Sequence, residues 1–145
     1  MTIPEIQQEI VKEFEQYEDW EERYTHIIQL GREMAEFPEE YRNDKFKITG
    51  CQSQVWIHAD FNEGKIFFQA DSDAMIVKGL IAILVRVYSG HSPAEILENP
   101  PAFVKEIGID SHLSPTRKNG LGAMVKQIQM YAVAFKTIAD KQHSS

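Results

Sequence analysis

The sequence predicts a mixed fold in which helices pack around a short antiparallel β-hairpin. Three observations point there. Apolar residues recur at helical spacing at both ends of the chain, with capping residues before the runs. Residues 55–61 alternate with a period of two and meet a β-rich stretch after a short turn. The run from Ala74 to Tyr88 is almost wholly apolar, as expected of a helix in the middle of a core.

In chain order, Thr2-Ile3-Pro4-Glu5 has the form of a capping box. Ile3, Ile6, Ile10, Phe14 and Tyr17 give the first helix its apolar face. Asp19-Trp20-Glu21-Glu22 repeats the pattern, and Trp20, Tyr24, Ile27, Ile28 and Leu30 face the core from the second helix. Glu13, Glu15, Glu18, Glu21 and Glu22 read as a solvated acidic face, with a dock for a basic partner as the sharper alternative. Phe37-Pro38 ends helical structure, because proline restricts the residue before it. Residues 39–49 show no period and read as a loop. A lone hairpin is marginal in water, so a third strand or a helix must cover it, and the residues around Phe46 to Thr49 could supply that strand. One side chain of Asp71-Ser72-Asp73 is expected to cap the helix that follows, which stops at Gly90. Short helices begin at Ser92-Pro93 and near Ala102, the latter ending at Gly108. The last long helix opens at Ser114-Pro115 and carries a stripe of Leu121, Met124, Val125, Ile128, Ala132, Phe135 and Ile138, with Lys141 to Ser145 as a frayed tail.

The 145 residues suit one domain, 1–145, with its own core. A net charge of −7 argues against nucleic acid as a partner, which favours basic patches. No run has the length of a membrane span, since Lys78 and Arg86 interrupt the most apolar one. One cysteine cannot close an intrachain disulfide or build a thiolate-rich zinc or iron–sulfur site, and the histidines lack metal-ligand spacing. With no charged, apolar leader at the N-terminus, a reducing cytoplasm is the natural setting.

That one cysteine, Cys51, stands between Gly50 and Gln52 in a polar connection rather than on an apolar face. Spacing and composition leave a structural and a reactive thiol equally open. Arg42, Lys45 and Lys47 precede it closely, and cations beside a thiol favour its thiolate. Arg117 falls near a helix start, where a cation opposes the dipole, so it either meets an anion or partner or is a plain surface arginine.

Gly50-Cys51-Gln52-Ser53-Gln54-Val55-Trp56 resembles the signature of the SufE family of sulfur-acceptor proteins. Asp71-Ser72-Asp73-Ala74-Met75-Ile76-Val77-Lys78-Gly79-Leu80 and His112-Leu113-Ser114-Pro115-Thr116-Arg117-Lys118-Asn119-Gly120-Leu121 agree in order. So do Trp20-Glu21-Glu22-Arg23-Tyr24 and Ile28-Gln29-Leu30-Gly31. The resemblance implies an α+β fold: a small antiparallel sheet of about three strands packed against several α-helices, shared with iron–sulfur scaffold proteins of the IscU type. It implies that Cys51 takes sulfane sulfur from a SufS-like cysteine desulfurase, carries it as a persulfide and passes it toward an iron–sulfur scaffold complex. No cofactor is expected on this chain; pyridoxal phosphate belongs to the desulfurase. Gly50, Gln52, Ser53, Gln54, Asp73 and Arg117 are the residues expected to support the loop or touch the partner. The loop is expected to shelter the sulfur at rest, with Gly50 supplying the flexibility to turn it outward. A regulator that binds the desulfurase without carrying sulfur is the alternative, as is a CsdE-like branch feeding another acceptor. Homodimer formation is left open.

Overall fold

The computed structural model describes residues 1–143; Ser144 and Ser145 of the expected tail lie outside the described residues. Helix α1 (Ile3–Glu15) opens on the expected capping box, Thr2 accepting from the Glu5 N–H while Glu5 accepts from the Thr2 N–H. Its buried face includes Gln7, whose amide donates to the Pro100 carbonyl (3.2 Å) and accepts from the Phe103 N–H (3.0 Å). That pairing satisfies a buried polar group and ties α1 to the distant short helices. Helix α2 (Trp20–Glu33) is capped by Asp19. Of the acidic residues expected on one solvated face, Glu13 departs: it is half-buried and bonds His26 (2.8 Å) and Arg86 (3.1 Å).

Strands β1 (Val55–Asn62) and β2 (Lys65–Ser72) pair antiparallel, from Val55 opposite Ser72 to Asn62 opposite Lys65. Glu63 (φ 52°) and Gly64 (φ 80°) form the two-residue turn, and positive φ at both centres matches the strands' twist. The sheet has two strands rather than three. The segment proposed as a third offers a single bridge, Lys47 with Trp56, because turns at 44–46 and 49–50 leave too few extended residues between them. Its backbone still pairs with β1: the Ile48 N–H donates to Val55 (2.8 Å) and the Ile57 N–H to Phe46 (2.9 Å). Side chains supply the rest of the cover. Tyr41 stacks on His58 (centroids 3.6 Å apart), Phe46 meets the same ring edge-on, and Arg42 lies over Trp56. On the other edge, the Ile66 N–H donates to His91 and the Gly90 N–H to Ile66. Both edges of the hairpin are thus engaged where an open edge would invite foreign pairing.

Helix α3 (Met75–Tyr88) is the apolar centre, touching α1, α2, β2 and the last helix. Its expected cap is absent. Ala74 occupies the N-cap position with no side-chain bond, and the aspartates before it are engaged elsewhere. Helices α4 (Pro93–Glu98), α5 (Phe103–Ile107) and α6 (Pro115–His143) follow. In α6 the expected stripe holds through Leu121, Met124, Ile128 and Ala132, but Ile138 is exposed. Phe135 still stacks on Phe61 near the end of β1 (5.1 Å), and α6 continues about two turns past that contact. Among the described residues, no helix is long and apolar enough to cross a membrane.

Helices α2 and α3 cross at two glycines. A Cβ at Gly79 would stand 2.0 Å from the Ile27 carbonyl oxygen, and one at Gly31 would stand 2.8 Å from the Gly79 nitrogen. Both obstacles are backbone, which cannot swing aside. Gly79→Ala is therefore expected to cost about 3 kcal/mol or more, the upper range for overpacking. Thermal melting should show a Tm lower by about 6–12 °C for a chain of this size. A Tm within about 2 °C of wild type would mean the crossing can widen freely.

Candidate functional site

Cys51 follows a tight turn at Thr49-Gly50. Gly50 has φ +93°, in the region that side chains disfavour, and a Cβ there would also press within 3.4 Å of Ala123. The glycine is thus required by the resting shape of the turn. The loop is fastened at both ends. Before the cysteine, Ile48 bonds Val55. After it, the Gln54 N–H donates to Asp73 Oδ1 (3.0 Å), and the Asp73 N–H returns a bond to the Gln54 carbonyl (3.2 Å). Asp73 is therefore a latch on the cysteine loop and not the helix cap. Ser72 accepts from the Ala74 N–H (3.2 Å), and Asp71 takes Arg42 and Lys78.

The Cys51 side chain is partly buried against the start of α6, and its thiol donates to the Gly120 carbonyl oxygen with Sγ···O 3.6 Å. Gly120 leaves space beside the sulfur: a Cβ there would stand 3.6 Å from Sγ. Sγ opens on a cavity of about 450 Å³, lined also by Gln52, Ser53, Val77, Ser114, Thr116 and Arg117. The structure thus brings Cys51, Gln52, Ser53 and Arg117 around one space. Gly50 shapes the turn, while Gln54 and Asp73 brace the loop outside that lining. Val77, Ser114, Thr116 and Gly120 join the site without having been singled out. Their one signal was membership of the second and third sequence blocks, which the fold brings to the cysteine from α3 and from the first turns of α6.

The electrostatics correct one expectation. Burial pushes the Cys51 thiol above its ordinary value, with no cation among the described residues offsetting it. Arg42 does not serve the thiol: it donates to Asp71 (2.5 Å) and Glu39 (3.0 Å). Burial works against the Asp71 carboxylate, yet bonds from Arg42, the Ser72 N–H and Lys78 hold it below its usual range. Lys45 lies over Phe46. Two of the three cations that crowd Cys51 in sequence, Arg42 and Lys45, are therefore engaged on the hairpin's cover, and Lys47 is exposed. Arg117 is different: it too is exposed, but it lines the cavity and has no side-chain hydrogen bond or ion pair among the described residues.

Residues 8–132 match the family model described as SufE, an Fe-S metabolism associated domain. An uncharacterised SufE-like protein of Synechocystis sp. is 38% identical over 135 residues, covering 93% of this chain and 85% of that protein. The solution structure of a hypothetical protein from Thermus thermophilus superposes with a TM-score of 0.77 at 24% identity. It covers 94% of this chain and 99% of that one, and speaks for the α+β fold alone. The family match spans the cysteine loop, the latch at Asp73 and the start of α6 together: the chain belongs to the SufE family, and with it to iron–sulfur metabolism.

Proposed function

We propose that this chain is a persulfide carrier that takes sulfur from a cysteine desulfurase onto Cys51 and passes it on for iron–sulfur cluster assembly. One observation carries the reading. The chain's sole cysteine opens, on a loop braced at both ends, onto a cavity with room beside the sulfur. In the transfer, the Cys51 thiolate attacks the outer sulfur of the partner's cysteine persulfide. The partner's S–S bond breaks, its cysteine leaves as thiolate, and a new S–S bond forms on Cys51. The thiol proton goes to solvent or to the departing thiolate, and no net oxidation occurs. The partner brings its own pyridoxal phosphate.

The resting thiol is not activated, so docking must supply the activation. Two sources face the cavity. A helix N-terminus contributes about 0.3–1 kcal/mol to a nearby anion. A guanidinium brought to about 5 Å at an effective dielectric near 20 contributes about 3 kcal/mol, or about two pKa units. Arg117 is thus the stronger source, provided the partner displaces water and turns it toward the sulfur. Two units give about a hundredfold more thiolate and lose about tenfold in nucleophilicity, a net gain of about tenfold.

Three outcomes are expected. With an active desulfurase and cysteine, the wild-type chain gains about 32 Da, the mass of one sulfur, and Cys51→Ser gains none. A Cys51→Ser chain that still stimulates the desulfurase fully would indicate a regulator that carries nothing. For the free chain, burial of the thiol means that the rate of iodoacetamide labelling climbs about tenfold per pH unit through neutrality and inflects above the usual thiol range. Arg117→Ala should leave that profile in place while slowing sulfur uptake about tenfold; slowing by less than about twofold would remove Arg117 from the step.

A further inference from the structure

A second hollow lies beside the cysteine cavity, along the same turns of α6. It encloses about 520 Å³ between α6 and the segment leading into α5, and Pro101, Val104, Leu121 and Val125 give it an apolar floor. Its rim is basic. Lys105 stands on α5, and Lys118 and Lys126 stand two turns apart on α6, against one acidic side chain, Asp110. The three lysines are exposed and have no ion pair among the described residues. In a chain of net charge −7 this is a local reversal of sign.

Gly122 sits midway between Lys118 and Lys126 on the same helical stripe. It is exposed in the interior of a helix, where glycine weakens the structure relative to alanine. Packing among the described residues does not require it, since a Cβ there would meet none of their atoms within 4 Å. Gly31 and Gly79 are needed by the packing of the free protein; Gly122 is not. A helix that forgoes a side chain over an apolar hollow leaves a place for someone else's.

We infer that this hollow receives a segment of the sulfur-donating desulfurase consisting of an apolar side chain flanked by carboxylates. The apolar group enters over Gly122, and the carboxylates meet Lys105, Lys118 and Lys126. Charge complementarity selects an acidic segment over a basic one. The inference rests on the carrier reading above and adds where the partner holds on. The hollow takes in Lys118, Leu121 and Gly122, whereas the cysteine cavity takes in Thr116, Arg117 and Gly120. A segment anchored in the first therefore places its protein beside the second.

The test uses a desulfurase that loads sulfur onto the wild-type chain, with its Kd for the chain measured by calorimetry. The double variant Lys118→Glu/Lys126→Glu is expected to raise Kd at least tenfold, and added salt should weaken wild-type binding. Gly122→Leu should raise Kd by a similar factor while its Tm equals or exceeds that of wild type. Both should keep the free chain's Cys51 labelling rate, which separates lost docking from lost fold. Unchanged Kd in both variants, with the wild type still gaining sulfur, overturns the inference and leaves the carrier reading standing. Loss of binding in Gly122→Leu alone overturns the acidic chemistry of the segment. If instead sedimentation shows the wild type to be a dimer that the variants dissociate, with Kd for the desulfurase unchanged, the hollow is a contact between copies. A wild-type chain that no desulfurase loads overturns the carrier reading, and the inference built on it falls with it.

Discussion

The contact between the Cys51 thiol and the Gly120 carbonyl sets the conditions for everything else at this site. A carbonyl oxygen can accept from a thiol but offers nothing to a thiolate, so this bond favours the protonated sulfur. Partial burial acts in the same direction. The resting cysteine is therefore kept as a poor nucleophile, shielded from adventitious chemistry at the expense of its own reactivity. Such a state suits the carrier role proposed above, in which the cargo must reach one recipient.

Holding it requires a loop that neither wanders nor locks. The bridge at Ile48 and the reciprocal Gln54–Asp73 bonds fix the loop's ends to the hairpin and to the residues before α3. Between those points only Thr49 to Ser53 remain, turned by a glycine at φ +93°. Movement confined to so few residues can reorient a side chain without disturbing the sheet. The sheet is in turn held by Arg42, which bonds Asp71 and covers Trp56 and Phe37. A cation near the cysteine in sequence, Arg42, thus stabilises the platform, and one sixty-odd residues away in sequence, Arg117, lines the sulfur's cavity.

This reversal marks the limit of what could be read from the chain alone. Helices and hairpin were legible because they rest on local rules: capping at Thr2 and Ser92, a period of two over β1, and a glycine stop at Gly108. The third strand failed because its residues are only two or three long between turns, too short for periodicity to judge. The helix cap at residues 71–73 failed for a different reason. Asp and Ser are good caps in isolation, but long-range partners, Arg42, Lys78 and the Gln54 N–H, claimed the aspartates first. At the site, the cysteine motif named its own members, while Gly120 and Val77 enter only because α6 and α3 converge there. No local pattern encodes that meeting.

The glycines make the point in physical form. Gly31 and Gly79 are explained by the free protein, where backbones touch. Gly50 is explained by its φ angle. Each of these could be understood by asking what a side chain would strike or strain. Gly122 answers that question with empty space, so its reason must lie outside the folded chain or not exist at all. Because α6 presents Gly120 to the cysteine and Gly122 to the basic hollow, both sites depend on the same few turns of one helix. On the reading proposed above, a donor seated in the hollow would rest on the same turns of α6 that line the cavity, so docking and the shelter of the thiol share one support.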